Sequence, residues 1–592
     1  MTWYYAPHQY EIGLLHALVR AGHAANRHVD YAMNFADVQH DAQFRVDGGE
    51  PVARRTTVDE PPAFWADAGL VEVRGPGGEW MSARAVPGHP DAPPHREPEP
   101  TRIVRPVLRD GLWTLEQPVL GRPVFRASSV PAVSSGESRA EALAPAEQQE
   151  TRHEVRMLPG GEWTTVHALG FRHLRIAGDD VGDVRVEAFE HPAPATGSFA
   201  CSDETLTRIW QVSAATLRTC MHGLVLDGIK RDRMPWIGDQ ALNTLANAYA
   251  FGDGGIVRSG LIALGRPRGG YVNGIADYSL WWLIATGFFA RSFDAGGYLR
   301  DEADHIHAFT EDLAQHAGTD GLFRPAPTHH DFRLTFIDWG VDADPARVPT
   351  ALQVLWHWAL RSAADVLTAV GHPGASRWEA LAATVRQTLL RVGRLPGGWR
   401  EYADGDSGIA LYPSFLAVLA GLSGPDDDAV RALLQRTERA GTPFMTGFFI
   451  RALIELGDRD GAVARIRKLW GGMLEAGAST FWEEFDPGES PYAMYGRPFG
   501  KSLCHAWSSG PAALLPDAVL GLRPLADGWS VFQVDPHPGG LDWAEARVPT
   551  PHGDLAASIR EGKVTVVVPD GVTLRARGGD HLGPAVVRWS LA

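Results

Sequence analysis

Two short segments carry residue types that could move protons. The first, 226–240, reads Leu-Asp-Gly-Ile-Lys-Arg-Asp-Arg-Met-Pro-Trp-Ile-Gly-Asp-Gln and holds the carboxylates Asp227, Asp232 and Asp239, the cations Lys230, Arg231 and Arg233, and Trp236. A loop that is merely solvated needs neither fixed turns nor an indole, so the Gly, Pro and Trp among these charges point beyond surface ion pairing. Pairing on the loop itself is the expected role of Lys230 and Arg233. The second segment, 479–487, places Glu483 and Glu484 between Trp482 and Phe485. A carboxylate against aromatic surface is desolvated, which raises its pKa toward the range useful for general acid/base work near neutrality. Adjacent glutamates commonly divide into one exposed and one paired, so each segment read alone leaves its role open. No metal-ligand spacing stands out, and acid/base hydrolysis needs neither metal nor cofactor; none is expected.

The elements that must position these residues are helical. From Ser202 the run Ser-Asp-Glu reads as a helix start, and Leu206, Ile209, Trp210, Leu217, Cys220 and Met221 recur at helical spacing. Amphipathic segments follow at 241–251, 277–293, 301–316, 350–370, 376–392, 410–422, 426–439, 442–456 and 460–474. Roughly 315 residues in helix-plus-loop units of about 26 make about twelve helices, the number of an (α/α)6 barrel. The absence of a fixed-period signature speaks against a solenoid, and 226–240 then falls at the barrel's open end. The first 190 or so residues are β-rich, with alternation at Val184, Val186 and Ala188 and a strand-like piece at 171–176. Two interruptions there, Pro-rich 86–100 and polar 131–150, read as long surface loops without a role. Beyond 516, 555–559 and 564–568 flank a polar turn and 572–576 alternates again. The expected fold is mainly α with β modules: an N-terminal β-sandwich domain over 1–195, an (α/α)6 barrel over 196–516 and a C-terminal β-sandwich domain over 517–592.

Composition narrows the partners. With 55 basic and 71 acidic residues in 592, the net charge of −16 disfavours a phosphate backbone or an anionic membrane. Cys201, Cys220 and Cys504 are odd in number and show no paired spacing, so no disulfide framework is expected. The N-terminal stretch interrupts any apolar run with His8, Glu11 and His16, and no uncharged apolar stretch near 18 residues occurs elsewhere, so a soluble cytoplasmic protein is expected. Tryptophan outnumbers tyrosine, 20 to 12, which puts indole rings in demand.

The string 227–239 (DGIKRDRMPWIGD) resembles the acidic motif of glycoside hydrolase family 78, the α-L-rhamnosidases. Phe336-Ile337-Asp338-Trp339, the segment 480–485 (TFWEEF), Leu503-Cys504-His505-Ala506-Trp507 and the closing β stretch 521–577 are similar to further motifs of that family. The resemblance covers about 200–592 in scattered motifs and is most specific in the first. It implies an inverting glycosidase, in which an acid protonates the leaving oxygen while a second carboxylate activates water across the ring, the two carboxyls standing about 6.5–9.5 Å apart. On that pattern Asp232 is the acid and Glu483 the base, with Glu484 the fallback. Asp227, Arg231, Trp236, Asp239, Asp338, Trp339, Trp482 and His505 are the implied substrate-binding residues. Rhamnose carries an apolar methyl and a C–H face, to which the indoles of Trp236, Trp339, Trp482 and Trp507 are suited. Trp210, Trp356, Trp358, Trp378 and Trp470 sit within helices and are expected in the core, as is one of Trp281 and Trp282.

Two features depart from the family pattern. Many members have Glu where this chain has Asp232, a shorter arm that requires the loop to lie closer to the glycosidic oxygen. The N-terminal part is brief, which points to a small-molecule rhamnoside as partner; a homodimer is compatible with the sequence. The cations beside Asp232 would lower its pKa unless they point away or other carboxylates outweigh them. A barrel hydrolase for another sugar, such as a glucuronyl hydrolase, would need a basic clamp from Arg231 and Arg233. A carbohydrate-binding scaffold without turnover would not need both carboxylates.

Overall fold

The computed structural model of the protein describes residues 101–591 except 152, 167, 194–195, 223, 231–232, 266, 268–269 and 328–333, together with the strand backbone of a four-stranded antiparallel sheet between 42 and 82. The Pro-rich stretch 86–100 lies outside the described residues.

The N-terminal part is an eight-stranded sheet built around the long strand Leu112–Arg126. Leu169–Ala177 and Gly182–Ala188 flank it antiparallel. Val184, Val186 and Ala188 alternate inward as the period of two demands and bury with Leu115, Phe125, Phe171 and Leu174. The polar stretch 131–150 is not the idle surface loop its composition indicates. It contains the strand Ala132–Gly136 and the helix Arg139–Leu143, and it buries Glu137 and Glu141. The start of the helix is fixed by a variant of the capping box: Ser138 Oγ accepts from Glu141 N at 3.1 Å while Glu141 Oε2 accepts from Glu137 N, one residue before the cap, at 3.1 Å. The Ser-x-x-Glu signal at 138–141 was present, but the surrounding small and polar residues mask it.

From Glu204 to Leu520 the described residues form twelve helical rods, counting the run from Arg459 to Glu475, which includes one π turn, as one. The first, Glu204–Cys220, is capped by Asp203, whose side chain accepts from Leu206 N at 3.1 Å, so the helix starts one residue later than Ser202 would have it. Two rods escape the periodicity reading. Gly254–Leu264 opens on two glycines behind its cap Asp253, and Pro511–Leu520 carries an internal proline. Their punctuation is nonetheless regular, with Pro511 in the first turn and Gly521 left-handed at the C-terminus. The indoles supply much of the core. Trp356, Trp378 and Trp470 are fully buried, and so are both Trp281, stacked on Phe448, and Trp282, whose Nε1 donates to Leu261 O at 2.9 Å.

The C-terminal strands make two sheets, and the first recruits Ser198–Cys201 as an edge strand against Trp543–Thr550. Gly553–Arg560 and Lys563–Val568 form a hairpin whose two turn residues, Glu561 and Gly562, both have positive φ, the geometry of a two-residue turn that matches strand twist. Among the described residues no helix is long and apolar enough to cross a membrane.

Candidate active site

Asp227 stands where the chain leaves the helix Glu204–Cys220. Its backbone N donates to Met234 O at 2.7 Å and its Oδ1 accepts from Met234 N at 2.9 Å, which closes the loop upon itself. The loop is then clamped to the segment carrying His505: Ala506 N donates to Asp227 O at 2.7 Å, and Gly228 bridges His505. Gly170 lets the N-terminal sheet approach, since a Cβ there would overlap Ile229 O.

Asp232 and Arg231 lie outside the described residues. Of the cations flanking them, Lys230 reaches beyond the loop, while Arg233 holds carbonyls of the loop itself and one from the N-terminal part. Lys230, its side chain 1% exposed, turns into the N-terminal sheet, where Nζ lies 3.4 Å from Oε2 of both Glu137 and Glu141 and donates at 2.7 Å to Phe499 O and Lys501 O. Arg233 donates to the carbonyls of Ile229, Ala168 and Lys230 at 2.8, 2.9 and 3.2 Å. The physical reason is burial: a cation out of water needs fixed acceptors, and these come from the loop's own backbone and from the N-terminal part together.

Glu483 is 2% exposed and Glu484 is half-buried, so the adjacent pair divides. Ser502 N donates to Glu483 Oε2 at 3.0 Å and Tyr495 Oη to Oε1 at 2.6 Å. The Glu483 backbone is pinned as well, N to Ser502 O at 2.9 Å and O accepting from Trp507 Nε1 at 2.9 Å. Both carboxylate oxygens thereby accept from neutral donors that fix the direction of the side chain. Tyr495 is the residue that sequence reasoning missed. It lies in a Pro- and Gly-punctuated stretch with no acid or base beside it, and its signal was limited to an aromatic in such a loop. It adopts φ of 54° and sets its ring 5.3 Å from Trp339, edge to face. Tyr495→Phe is expected to lower kcat about tenfold at neutral pH and to move the acidic limb of the pH–rate profile upward, because a hydrogen bond that favours the charged carboxylate is lost. An unmoved limb in a kcat/KM titration would show that the phenol only fills space.

Asp239 sits in the first turn of the helix Ile237–Ala250, and His505 Nε2 lies 3.3 Å from its Oδ1. Burial raises the Asp239 carboxyl, with the His505 contact opposing. Burial alone would suppress the His505 imidazolium, but Asp239, Glu483 and Asp227 overcome it and hold its pKa above the ordinary value. The pair sets a polar donor and acceptor together at the start of one helix.

Asp338 is fully buried and accepts four hydrogen bonds: Thr442 Oγ1 at 2.7 Å, Trp339 N at 2.9 Å, and Thr442 N and Tyr412 Oη at 3.0 Å. Burial pushes its carboxyl to about 7 against these donors. Its own position is forced. Asp277 accepts from Phe336 N at 2.8 Å and Ile337 N at 3.1 Å, holding β-branched Ile337 at φ of 55°, strain worth about 1–3 kcal/mol that these bonds offset. With its acceptors engaged, Asp338 orients Trp339 more directly than it could reach a sugar hydroxyl. At Gly441, φ is 61° and a Cβ would overlap Asp338 Oδ2 and the Tyr412 hydroxyl. Gly441→Ala is therefore expected to cost about 3–5 kcal/mol, read as a lowered urea midpoint at unchanged m.

Trp236 and Trp339 are half-buried, their rings edge-on to Tyr278 and Phe336. Trp482 and Trp507 are buried, one against Phe485 and the other stacked on Phe444. Cys220 and Cys504, far apart in sequence, bring their sulfurs to 3.8 Å as free thiols beneath the loop. Among the described residues no group of three or more His, Cys, Asp or Glu side chains is placed to hold a metal ion.

Residues 194–275 match the bacterial alpha-L-rhamnosidase 6 hairpin glycosidase domain, and 521–576 match the bacterial alpha-L-rhamnosidase C-terminal domain. No curated protein matches the chain by sequence. Among solved structures it is similar to a GH78 family rhamnosidase of Bacillus sp. GL1, at 22% identity and a TM-score of 0.67 over 90% of this chain and 62% of that one. It is also similar to a rhamnosidase from Klebsiella oxytoca with rhamnose bound, at 22% identity and a TM-score of 0.58 over 75% of this chain and 93% of that one. A third likeness is to a Streptomyces avermitilis alpha-L-rhamnosidase complexed with L-rhamnose, at 17% identity and a TM-score of 0.64 over 90% of this chain and 57% of that one. The chain thus spans less than two thirds of the length of the Bacillus and Streptomyces proteins. At these identities the structures speak for the fold, a six-hairpin glycosidase domain with several β-sheets, while the two domain matches speak for the lineage. Both comparisons point the same way: 194–275 and 521–576 are similar to α-L-rhamnosidase domains, and the fold is similar to that of solved rhamnosidases.

Proposed function

We infer that the protein is an inverting glycoside hydrolase that releases terminal α-L-rhamnose from small rhamnosides, with Asp232 as general acid and Glu483 as general base. The observation that carries this reading is the buried Glu483, aimed at both oxygens by Tyr495 and Ser502 and brought by the fold to the loop of Asp227 and the Asp239–His505 pair, more than two hundred residues away in sequence. In this reading the helical rods are the (α/α)6 barrel of 196–516, flanked by sandwich domains over 1–195 and 517–592. Asp227, Arg231, Asp239 and His505 engage sugar hydroxyls, Trp236 and Trp339 offer accessible indole to the C–H face, and Trp482 and Trp507 back the base from the packed side. Asp338 acts through Trp339. Three free, buried cysteines support a reducing compartment, the cytoplasm.

A hydrolase for a uronic acid would need Arg231 and Arg233 as a basic clamp; Arg233 is engaged with backbone carbonyls, which favours the neutral sugar. The deciding experiment is hydrolysis of an aryl α-L-rhamnoside followed by NMR of the anomer first released. β-L-Rhamnose as first product supports inversion, the α anomer overturns it, and no release above background with rhamnose binding intact overturns turnover itself.

A further inference from the structure

The buried cluster of Glu137, Glu141 and Lys230 has no part in the proposed proton transfers, yet it touches the segment that holds Glu483. Glu137 Oε2 accepts from Leu503 N at 2.6 Å, and Lys230 Nζ donates to Phe499 O and Lys501 O at 2.7 Å each. Residues 499, 501 and 503 are thus gripped at alternate positions. Between them Ser502 bonds Glu483 twice, its N donating to Oε2 at 3.0 Å and its O accepting from Glu483 N at 2.9 Å. Glu137 from the N-terminal part and Lys230 from the loop thus hold the residues on either side of the one that holds the carboxylate.

We propose that Glu137 and Lys230 are positioning residues through which the N-terminal β part sets the aim of Glu483. A buried ion cluster is a poor stabiliser, since apolar side chains of similar volume often serve as well. What the ammonium and carboxylate add is direction, three backbone groups fixed by two side chains that are each 1% exposed. Burial, opposed by Lys230, raises the Glu137 carboxyl to about 7, so near neutrality a neutral amide is a fair mimic of its protonated form. Burial also raises Glu141, and Glu137 Oε1 and Glu141 Oε1 have no hydrogen-bond partner. The strut therefore tolerates loss of one negative charge but not loss of the acceptor for Leu503 N–H.

The proposal rests on Glu483 as base, so its test has one arm that needs no turnover. Amide exchange across 495–505 and steady-state kinetics on an aryl α-L-rhamnoside are compared for Glu137→Gln, Glu137→Leu and Lys230→Met in the full chain. Glu162→Gln, which breaks an ion pair with Arg185 on the same sheet, serves as control. Glu137→Leu and Lys230→Met should speed exchange in 495–505 by about tenfold or more. They should also cut kcat by roughly 10- to 100-fold with KM within about threefold, and shift the acidic limb of the pH–rate profile upward. Glu137→Gln and Glu162→Gln should stay within about threefold of wild type on every readout. Unchanged exchange in Glu137→Leu, or an equal loss in Glu162→Gln, overturns the strut; if Lys230→Met does not fold, the Glu137 pair decides. A wild type that hydrolyses no rhamnoside would sink the proposed function, and exchange across 495–505 would still judge the strut.

Discussion

Glu483→Gln should lower kcat on an aryl α-L-rhamnoside by about 10³-fold while leaving KM within about threefold. The amide keeps an oxygen that can accept from Ser502 N or Tyr495 Oη, so the side chain retains its place and volume among Trp507, Ser502 and Tyr495. What it loses is the ability to take a proton from water in the transition state. A loss confined to kcat is the mark of an interaction made only there. Thermal melting of the variant separates this from unfolding. Glu484→Gln supplies the comparison, because Glu484 is half-buried and should stay within about threefold of wild type. If the two variants exchange these outcomes, the base is Glu484 and the fallback assignment replaces the first.

Asp232→Asn should produce a loss that depends on the leaving group. A general acid matters in proportion to the basicity of the departing oxygen, so an alkyl rhamnoside should lose about 10³-fold or more and a dinitrophenyl rhamnoside about tenfold or less. Lys230 and Arg233, which the charge pattern alone would set against a protonated acid, also hold Glu137, Glu141 and five backbone carbonyls. Equal losses on both substrates would remove Asp232 from the role of acid. A wild-type rate on the alkyl rhamnoside would remove it from catalysis altogether.

Local chemistry was legible wherever it obeys local rules. The helices of the middle segment follow from apolar spacing and caps, as Asp203 shows, and the C-terminal hairpin follows from alternation around a turn. The acidic loop and the paired glutamates were visible because their residue types are costly to bury without a purpose. The same local reading failed at 131–150, where small polar residues conceal a capping box whose glutamates become buried only because Lys230 arrives from the helical part. It also passed over Tyr495, since nothing in the run 490–498 says that a phenol will reach a carboxylate twelve residues earlier.

By itself, then, the sequence determined the kinds of element, their order, the acidic and aromatic motifs and the family they resemble, because periodicity, capping and residue chemistry act over a few residues. Only the tertiary structure decided which glutamate of the pair is buried, that Lys230 meets Glu137 and Glu141, that Asp338 spends its oxygens on Thr442, Tyr412 and Trp339, and that Glu137 reaches Leu503 N beside Ser502. Those outcomes depend on which donors and acceptors meet out of water. Burial makes each unpaired polar group costly, and the partners that relieve that cost lie dozens to hundreds of residues away.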